Sequence, residues 1–582
     1  MKRCPECRRD YYDDTLLYCL DDGNALLEGP ASGKSEPGAI ATGFPASESP
    51  TRAQINTTDQ TAIFHRGAEA EPQENSGGLS ERQSLSANRA ATPQSKRNKL
   101  LAIFGIAILL LIGGFFGYRY FNPTGGGPIN SIAVLPFQNK SGDPNSEYLS
   151  DGLAESLIYR LSQLPDLKVS PTSSVIRYKG KDTEVSKIAS ELGVDAVMTG
   201  RLAQIGDNLT ISVELVDVRN NTLLWGEQYD RKMTDLLATQ REIATTITQK
   251  LQLKLSGEDV QEINKKYTDN NEAYQLFLKG RFYGSKRTAK DAQKAIEFYQ
   301  QAVALDPKYA LAYAGLAEAN WFLALYSYPQ VNEVVPKARE LALKAIELDP
   351  SLAEPHSVLG VICQTYDRDF ACMEREQKRA VELNPNFSEG HRRYGLMLQN
   401  LGRFEEASIA LGRALEIDPL SPVTNQQKAQ LLFYEKKYAE SETFSKNNIE
   451  LDPNFWYAHW QLFYVYRMKR DYASAVEELA KVQDARGEPD AATFIRNSFV
   501  GGDWPGFLRK ISGDRTRLKF YPYFVATFFA ELGEKDKAFT MLNEAIETKD
   551  QHTGQMKVDP FMDPLRDDPR FKEVLKKAGF PE

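Results

Sequence analysis

Three thiols near the amino terminus stand at spacings that suit a metal ion. Cys4 and Cys7, in Cys4-Pro5-Glu6-Cys7, are separated by two residues, so one tight turn brings both sulfurs to one ion, and Cys19 follows about a dozen residues later. The fourth position falls on Asp22, a carboxylate that zinc accepts, with Asp21 as its neighbouring competitor. Four protein ligands leave no open coordination site, so the expected cofactor is a structural zinc. A segment of this size has too little core to fold without such a staple. A redox or other non-metal role for the same thiols is the competing reading. The two remaining cysteines, Cys363 and Cys372, either form a disulfide across a small loop or fill a helix contact as small buried residues.

Little else in the chain suits bond chemistry. There is no phosphate loop, no His-Glu-x-x-His and no Gly-x-Ser-x-Gly, and His391-Arg392-Arg393 lacks the Asp of a kinase catalytic loop. An unrecognised enzyme would rest on Asp151, Glu155 and Asp195, which read more simply as caps of helices and turns. The chain is therefore expected not to be an enzyme. Lys and Arg number 71 against 79 Asp and Glu, a net charge of −8, the wrong sign for binding nucleic acid along the chain. No nucleic-acid partner is expected.

At 582 residues the chain is modular. Residues 1–28 hold the thiols. Residues 29–95 are rich in Ser, Gly, Ala, Pro, Gln and Glu, and read as a disordered tether. Leu100 to Tyr118 is nineteen residues without a charge, about 28 Å as a helix against a hydrocarbon layer of ~30 Å, which predicts a transmembrane helix in the region 98–120. Arg82, Arg89, Lys96, Arg97 and Lys99 precede it, so the amino terminus is expected in the cytoplasm and the bulk of the chain periplasmic or otherwise extracytoplasmic, on a single-pass inner-membrane protein. Residues 129–256 alternate strand and helix patterns: a buried run at 131–137, a helix at 147–164, a short strand at 167–169, a helix at 184–192, strands at 196–205, 209–218 and 222–231, and a helix at 235–255. From 268 to 485 Leu-Asp-Pro or its variants recur, with prolines 307, 350, 385, 419 and 453 spaced 43, 35, 34 and 34 residues apart, the period of a helical-hairpin solenoid. A degenerate repeat and a closing cap occupy 486–582.

These patterns carry resemblances. The repeat resembles the tetratricopeptide repeat, with Gly395, Ala407, Ala414 and Pro419 at its small-residue and proline positions. His356, His391 and His459 depart from it at its first aromatic position, and read as packing residues of separate repeats rather than metal ligands. Cys4-Pro-Glu-Cys7 with Tyr18-Cys19-Leu-Asp-Asp-Gly23 resembles a short zinc ribbon that has lost its last thiolate. Ile132-Ala-Val-Leu-Pro-Phe137, Tyr148-Leu-Ser-Asp-Gly-Leu-Ala-Glu-Ser156, Gly193-Val-Asp-Ala-Val-Met-Thr-Gly200 and Leu224-Trp-Gly-Glu227 resemble the domain family similar to the TolB amino-terminal domain. That family often precedes tetratricopeptide arrays and accompanies bacterial Ser/Thr kinases or adenylate cyclases. The resemblance implies a bacterial envelope context and transfers no catalytic residue.

Counted from each proline, the groove-facing positions of the solenoid hold Trp321, Arg392, Gln399, Gln426, Gln430, Trp460, Tyr464 and Arg467. Aromatic rings, guanidinium forks and amides suit an extended peptide or a helix, with Trp460 and Tyr464 at i and i+4 as the leading pair. The expected fold is multidomain: a zinc-ribbon-like knuckle, a disordered tether, one transmembrane helix, an α/β domain and an all-α tetratricopeptide solenoid. The expected function is a non-catalytic membrane-anchored scaffold that binds protein partners in its concave face. The alternative is a sensory or regulatory subunit whose kinase, cyclase or transcription partner is a separate protein.

Overall fold

The computed structural model describes residues 2–3, 10–11, 27–28 and 129–581, apart from 144–145, 287 and 327–330. Two compact units divide the chain, Met1–Arg97 and Asn98–Glu582. In the first, β1 (Lys2–Arg3) pairs antiparallel with β2 (Asp10–Tyr11) and with β3 (Leu27–Glu28), so that Lys2 lies opposite both Tyr11 and Glu28. The expected zinc ligands Cys4, Cys7, Cys19 and Asp22 and the tether at 29–95 fall outside the described residues.

The second unit begins with a six-stranded mixed sheet. Its strands are β4 (Ser131–Val134), β5 (Gln138–Asn139), β6 (Lys168–Val169), β7 (Ala196–Ile205), β8 (Asn208–Asp217) and β9 (Thr222–Lys232), in the order β6-β4-β7-β8-β9 with β5 also on β7. β4 is buried at every residue, as a central parallel strand must be, and pairs parallel with β6 and β7. Parallel neighbours need a crossover, supplied by α1 (Glu147–Ser162), the helical turn α2 (Thr172–Val175) and α3 (Val185–Leu192). The turns at Gly206-Asp207 and Arg219–Asn221 are tight, so β7, β8 and β9 run antiparallel. β8 buries Leu209, Ile211, Val213 and Leu215 on alternate positions. α4 (Leu236–Lys250) and α5 (Gly257–Asn264) lead into the solenoid.

Helical hairpins then follow: α6 (Asn271–Gly284) with α7 (Ala289–Leu305), α8 (Ala310–Tyr326) with α9 (Val331–Leu348), α10 (Ala353–Ile362) with α11 (Phe370–Leu383), α12 (Ser388–Asn400) with α13 (Phe404–Ile417), α14 (Pro422–Tyr434) with α15 (Tyr438–Leu451), and α16 (Trp456–Lys469) with α17 (Tyr472–Ala485). α18 (Pro489–Ser498) and α19 (Trp504–Gly513) continue the array, and α20 (Pro522–Glu531) pairs with α21 (Lys535–Glu547). At hairpin ends the Asp or Asn leaves the helix with extended backbone, and its side-chain oxygen accepts the N–H two residues on: Asp306 from Lys308, Asn384 from Asn386, Asp452 from Asn454. That Asx turn, with Pro next in sequence, ends each helix in the same geometry.

The α/β domain is welded to this array. α1 crosses α6 so closely that a Cβ on Gly152 would come within 2.9 Å of Leu278 Cβ, and one continuous apolar core runs from the sheet into the first repeats.

The expectations of a single transmembrane helix and of a single-pass inner-membrane location are corrected. Among the described residues no helix is long and apolar enough to cross a membrane, and residues 98–120, on which both expectations rested, lie outside them. The apolar helices that are described owe their composition to packing within the array. α8 is 17 residues long, carries Glu318, and is buried among its neighbouring hairpins.

Candidate protein-binding groove

The solenoid grips polypeptide in two places. The first is the row of turns that ends each hairpin. Thr268 donates to Asp306 at 2.5 Å, and Lys265 pairs with Asp349 at 2.9 Å and donates to Ser351 at 2.7 Å. Asn386 Nδ2 donates to the carbonyls of Leu164 and Leu167 at 2.8 and 3.0 Å. The hydroxyls of Ser173 and Ser174 both donate to Asp418, and Arg177 donates to the Leu451 carbonyl at 3.2 Å. Successive turns thus hold successive points of the α/β domain and its connector. Arg281 with Glu155 at 2.7 Å and Tyr274 with Ser156 at 2.9 Å fasten the same joint from the first repeat. A cavity of about 20 Å³, room for about one water, is left there between Tyr159, Tyr267, Tyr274, Tyr309, Arg160 and Arg281.

The second place is the inner face formed by α12, α14, α16 and α20, where the chain's own carboxyl-terminal return lies. Two 3-10 segments, Gln551–Gln555 and Pro560–Leu565, cross that face before α22 (Pro569–Lys577). Gln555 Oε1 accepts from Gln430 at 3.1 Å and from Tyr434 at 2.7 Å. Asp559 is fully buried and accepts from the Tyr523 hydroxyl at 2.8 Å and the Phe561 N–H at 2.9 Å. Phe561 inserts beside Tyr464, ring centroids 5.2 Å apart, and under Arg467, whose guanidinium carbon is 3.8 Å from its centroid.

The residues singled out from sequence fall in three groups. Trp460, Tyr464 and Arg467 are buried in the array. Trp460 packs 4.5 Å from Phe524, and the Arg467 side chain is 0% exposed, paired with Glu531 at 2.7 Å. Trp321 is likewise buried, in the apolar cluster that includes Val358 and Ile362. Gln399, Gln426 and Gln430 form amide contacts: Gln427 donates to Gln399 and Gln430, Gln399 to Gln430, and Gln426 to Gln461. Arg392 is held by both oxygens of Glu389 at 2.7 and 2.8 Å. Cys363 and Cys372 are joined in a disulfide, with Cα atoms 5.8 Å apart.

The histidines pair within their own repeats. His356 Nδ1 lies 2.8 Å from Glu376 and His459 Nδ1 lies 2.6 Å from Glu478, while His391 Nε2 donates to the Pro385 carbonyl. The His356 contact holds the Glu376 carboxyl below its usual range. No group of residues that could hold a metal occurs among the described residues. Two carboxyls go the other way. Burial pushes Asp559 up to about 6 and Glu354 up to about 7. Asp151, Glu155 and Asp195 are spent on Lys179, Arg281 and the Ser131 hydroxyl.

The sequence reading missed Asn386, Asp418, Gln555, Asp559 and Phe561. Their signals were present, the Asp-Pro recurrence for the first two and the Asp559-Pro560-Phe561 and Asp563-Pro564-Leu565 pairs for the rest.

The chain carries tetratricopeptide repeats: the family model of that name matches residues 276–309 and 393–419. Residues 129–246 match the second domain of HilA/YgeH-like transcriptional regulators, so the resemblance to the TolB domain finds no support over that span. Among curated proteins, “Putative adenylate cyclase 3” of Rhizobium meliloti (strain 1021) is 33% identical over 236 residues, 40% of each chain. “Transcriptional regulator HilA” of Salmonella typhimurium is 24% identical over 310 residues, 52% of this chain and 54% of that one. The chain thus spans about half or less of the length of these relatives. Among solved structures, PilW, a type IV pilus biogenesis factor, is 19% identical and superposes with a TM-score of 0.31, covering 38% of this chain and 99% of that one.

Proposed function

We propose that the chain is a non-catalytic regulatory scaffold whose inner solenoid face binds an extended segment of a partner protein in place of its own carboxyl-terminal return. One observation carries this reading. The face already holds irregular polypeptide through side-chain amides, a buried aromatic slot and an arginine, the chemistry by which repeat grooves hold peptides. The resident stretch shows what a partner needs: an amide or other acceptor for Gln430 and Tyr434, and a ring for the slot beneath Arg467.

A fluorescent peptide spanning residues 549–567 tests this by polarisation. The wild-type chain should bind it weakly, because the site is filled. Phe561→Ala, which empties the slot of its resident, should bind it about tenfold tighter. Equal, negligible binding by both would refute the groove reading.

A regulatory role rather than a purely structural one is favoured by the matched relatives, whose names are those of a cyclase and of transcriptional regulators. In this reading the α/β domain and repeats respond to a signal and a separate module supplies the output. The engagement of Asp151, Glu155 and Asp195 in ion pairs and hydrogen bonds supports a domain without catalysis. A structural zinc on Cys4, Cys7, Cys19 and Asp22 belongs to the same proposal.

A further inference from the structure

The carboxyl-terminal return is clasped at its far end by one loop, and that loop is closed by the Cys363–Cys372 bond. Between the two cysteines the chain makes a widened helical turn, Cys363–Asp367, ends it at Arg368 with a positive φ of 61°, and enters α11. Arg368 Nη1 donates to Thr553 Oγ1 and Nη2 to the Ile546 carbonyl, both at 3.0 Å. Tyr366 receives the Lys549 ammonium 3.2 Å from its ring centroid. Phe370 stacks on Phe580 with centroids 4.8 Å apart. A Cβ on Gly579 would come within 2.0 Å of the Arg368 carbonyl oxygen, so only glycine fits against this loop. The loop between Cys363 and Cys372, nine positions apart, thus touches the return at both ends, beside the contacts that Tyr523 makes to Asp550 and that Asp536 and Asn543 make to Arg570 and Lys577.

The two sulfurs are not equivalent. Cys363 is buried at 7% exposure, whereas Cys372 is half-buried and its Sγ accepts from Arg375 Nη2 at 3.4 Å. Arg375 is itself largely exposed. A guanidinium beside a sulfur stabilises its thiolate.

We propose that Cys363–Cys372 is a thiol–disulfide exchange site whose state decides whether the carboxyl-terminal return stays clasped in the solenoid. The reductant is a dithiol. Its thiolate attacks Cys372 Sγ, the Cys363–Cys372 bond breaks, and Cys363 leaves as a thiolate and takes up a proton. The second thiol of the reductant then attacks the mixed disulfide, forming the reductant's own disulfide and releasing Cys372 as a thiolate beside Arg375, which takes up the second proton. Two electrons and two protons pass to the protein. With the loop no longer closed, Tyr366, Arg368 and Phe370 lose their fixed placement and the return frays from this end. The inference rests on the groove reading only for its consequence, the opening of the inner face to a partner.

Hydrogen exchange read by mass spectrometry on the full chain tests it, comparing air-oxidised protein, protein reduced with dithiothreitol, and reduced protein reoxidised with oxidised glutathione. Reduction should speed exchange in peptides covering 546–580 by about tenfold, leave 131–250 unchanged, and reverse on reoxidation. Cys372→Ser should behave as the reduced chain without added dithiol. Unchanged protection of 546–580 on reduction, equal loss of protection throughout the chain, or failure of oxidised protein to contain the bond would each overturn the proposal. Because the readout needs no partner, a failure here leaves the peptide-binding result standing, and a failed peptide titration leaves this one standing.

Discussion

Arg467 lies with its guanidinium carbon 3.8 Å from the centre of the Phe561 ring and its side chain wholly shielded from solvent. The same cation faces Phe463, Tyr464 and Phe528 and pairs with Glu531, which also accepts from Trp504 Nε1 at 2.8 Å. A charge desolvated this far is stable only because every partner is in place.

Arg467→Ala should accordingly destabilise the carboxyl-terminal half by about 2–4 kcal/mol, since it empties a fully buried site, takes the guanidinium from Glu531 and removes the lid from Phe561. Arg467→Met, which keeps the volume without the charge, leaves Glu531 with its Trp504 donor alone and should recover only part of that loss. Urea denaturation followed by tryptophan fluorescence measures both, and a loss under about 1 kcal/mol for the alanine variant would contradict the picture.

Asp559 gives a pH dependence with a definite sign. Its pKa in the folded chain, about 6, lies above the unfolded carboxyl value of 3.8, so the folded state holds the proton more tightly. The stabilisation is fully present below about pH 4 and is lost as pH rises through about 6, a difference of roughly 3 kcal/mol. Facing the group are Tyr523, Tyr434 and Tyr464, whose hydroxyls burial holds above their usual range, and the side chains of Arg467 and Arg566. Asp559→Asn should flatten the pH dependence of exchange protection over 551–565 between pH 5 and 7.5. A variant with the wild-type profile would assign that dependence to another group.

Asn386→Ala leaves the buried carbonyls of Leu164 and Leu167 without this donor and should cost about 1–3 kcal/mol. The loss should show first as faster exchange at 162–178, where the α/β domain meets the turns. Asp418→Ala, which strips the acceptor from Ser173 and Ser174, should loosen the same stretch. If exchange at 162–178 stays as in the wild type in both, the row of turns is not what fastens the domain.

The purified chain should contain ~1 zinc ion by elemental analysis, and Cys7→Ser should lose it. Equal metal content in the two proteins would remove Cys4, Cys7, Cys19 and Asp22 from consideration as a site.

Much of the fold could be read from spacing. β7, β8 and β9 were marked by the turns at Gly206-Asp207 and Arg219–Asn221, and the hairpins by the recurrence of Asp-Pro, because one residue pair stops a helix the same way each time. The docking role of those turns was hidden for that very reason: Asp418 looks like a helix stop whether or not a serine lies opposite. The inner face was legible as a row of amides, rings and a guanidinium, since Gln430, Tyr464 and Arg467 fall at groove-facing positions of the repeats. Its occupant was not, because one's own chain and a foreign chain demand the same amides and rings. The membrane reading rested on the uncharged run at 98–120 and its basic flank, which lie outside the described residues.

The row of turns has a consequence for how this array can change. An open solenoid tolerates the gain or loss of a unit, since each unit touches only its neighbours. Here Asp306, Asp349, Asn386, Asp418 and Leu451 meet fixed points on Thr268, Lys265, the Leu164 and Leu167 carbonyls, Ser173 with Ser174, and Arg177. Deleting one hairpin would throw every later turn out of phase with its counterpart, so the length of the array between 306 and 451 is tied to the shape of the domain it carries.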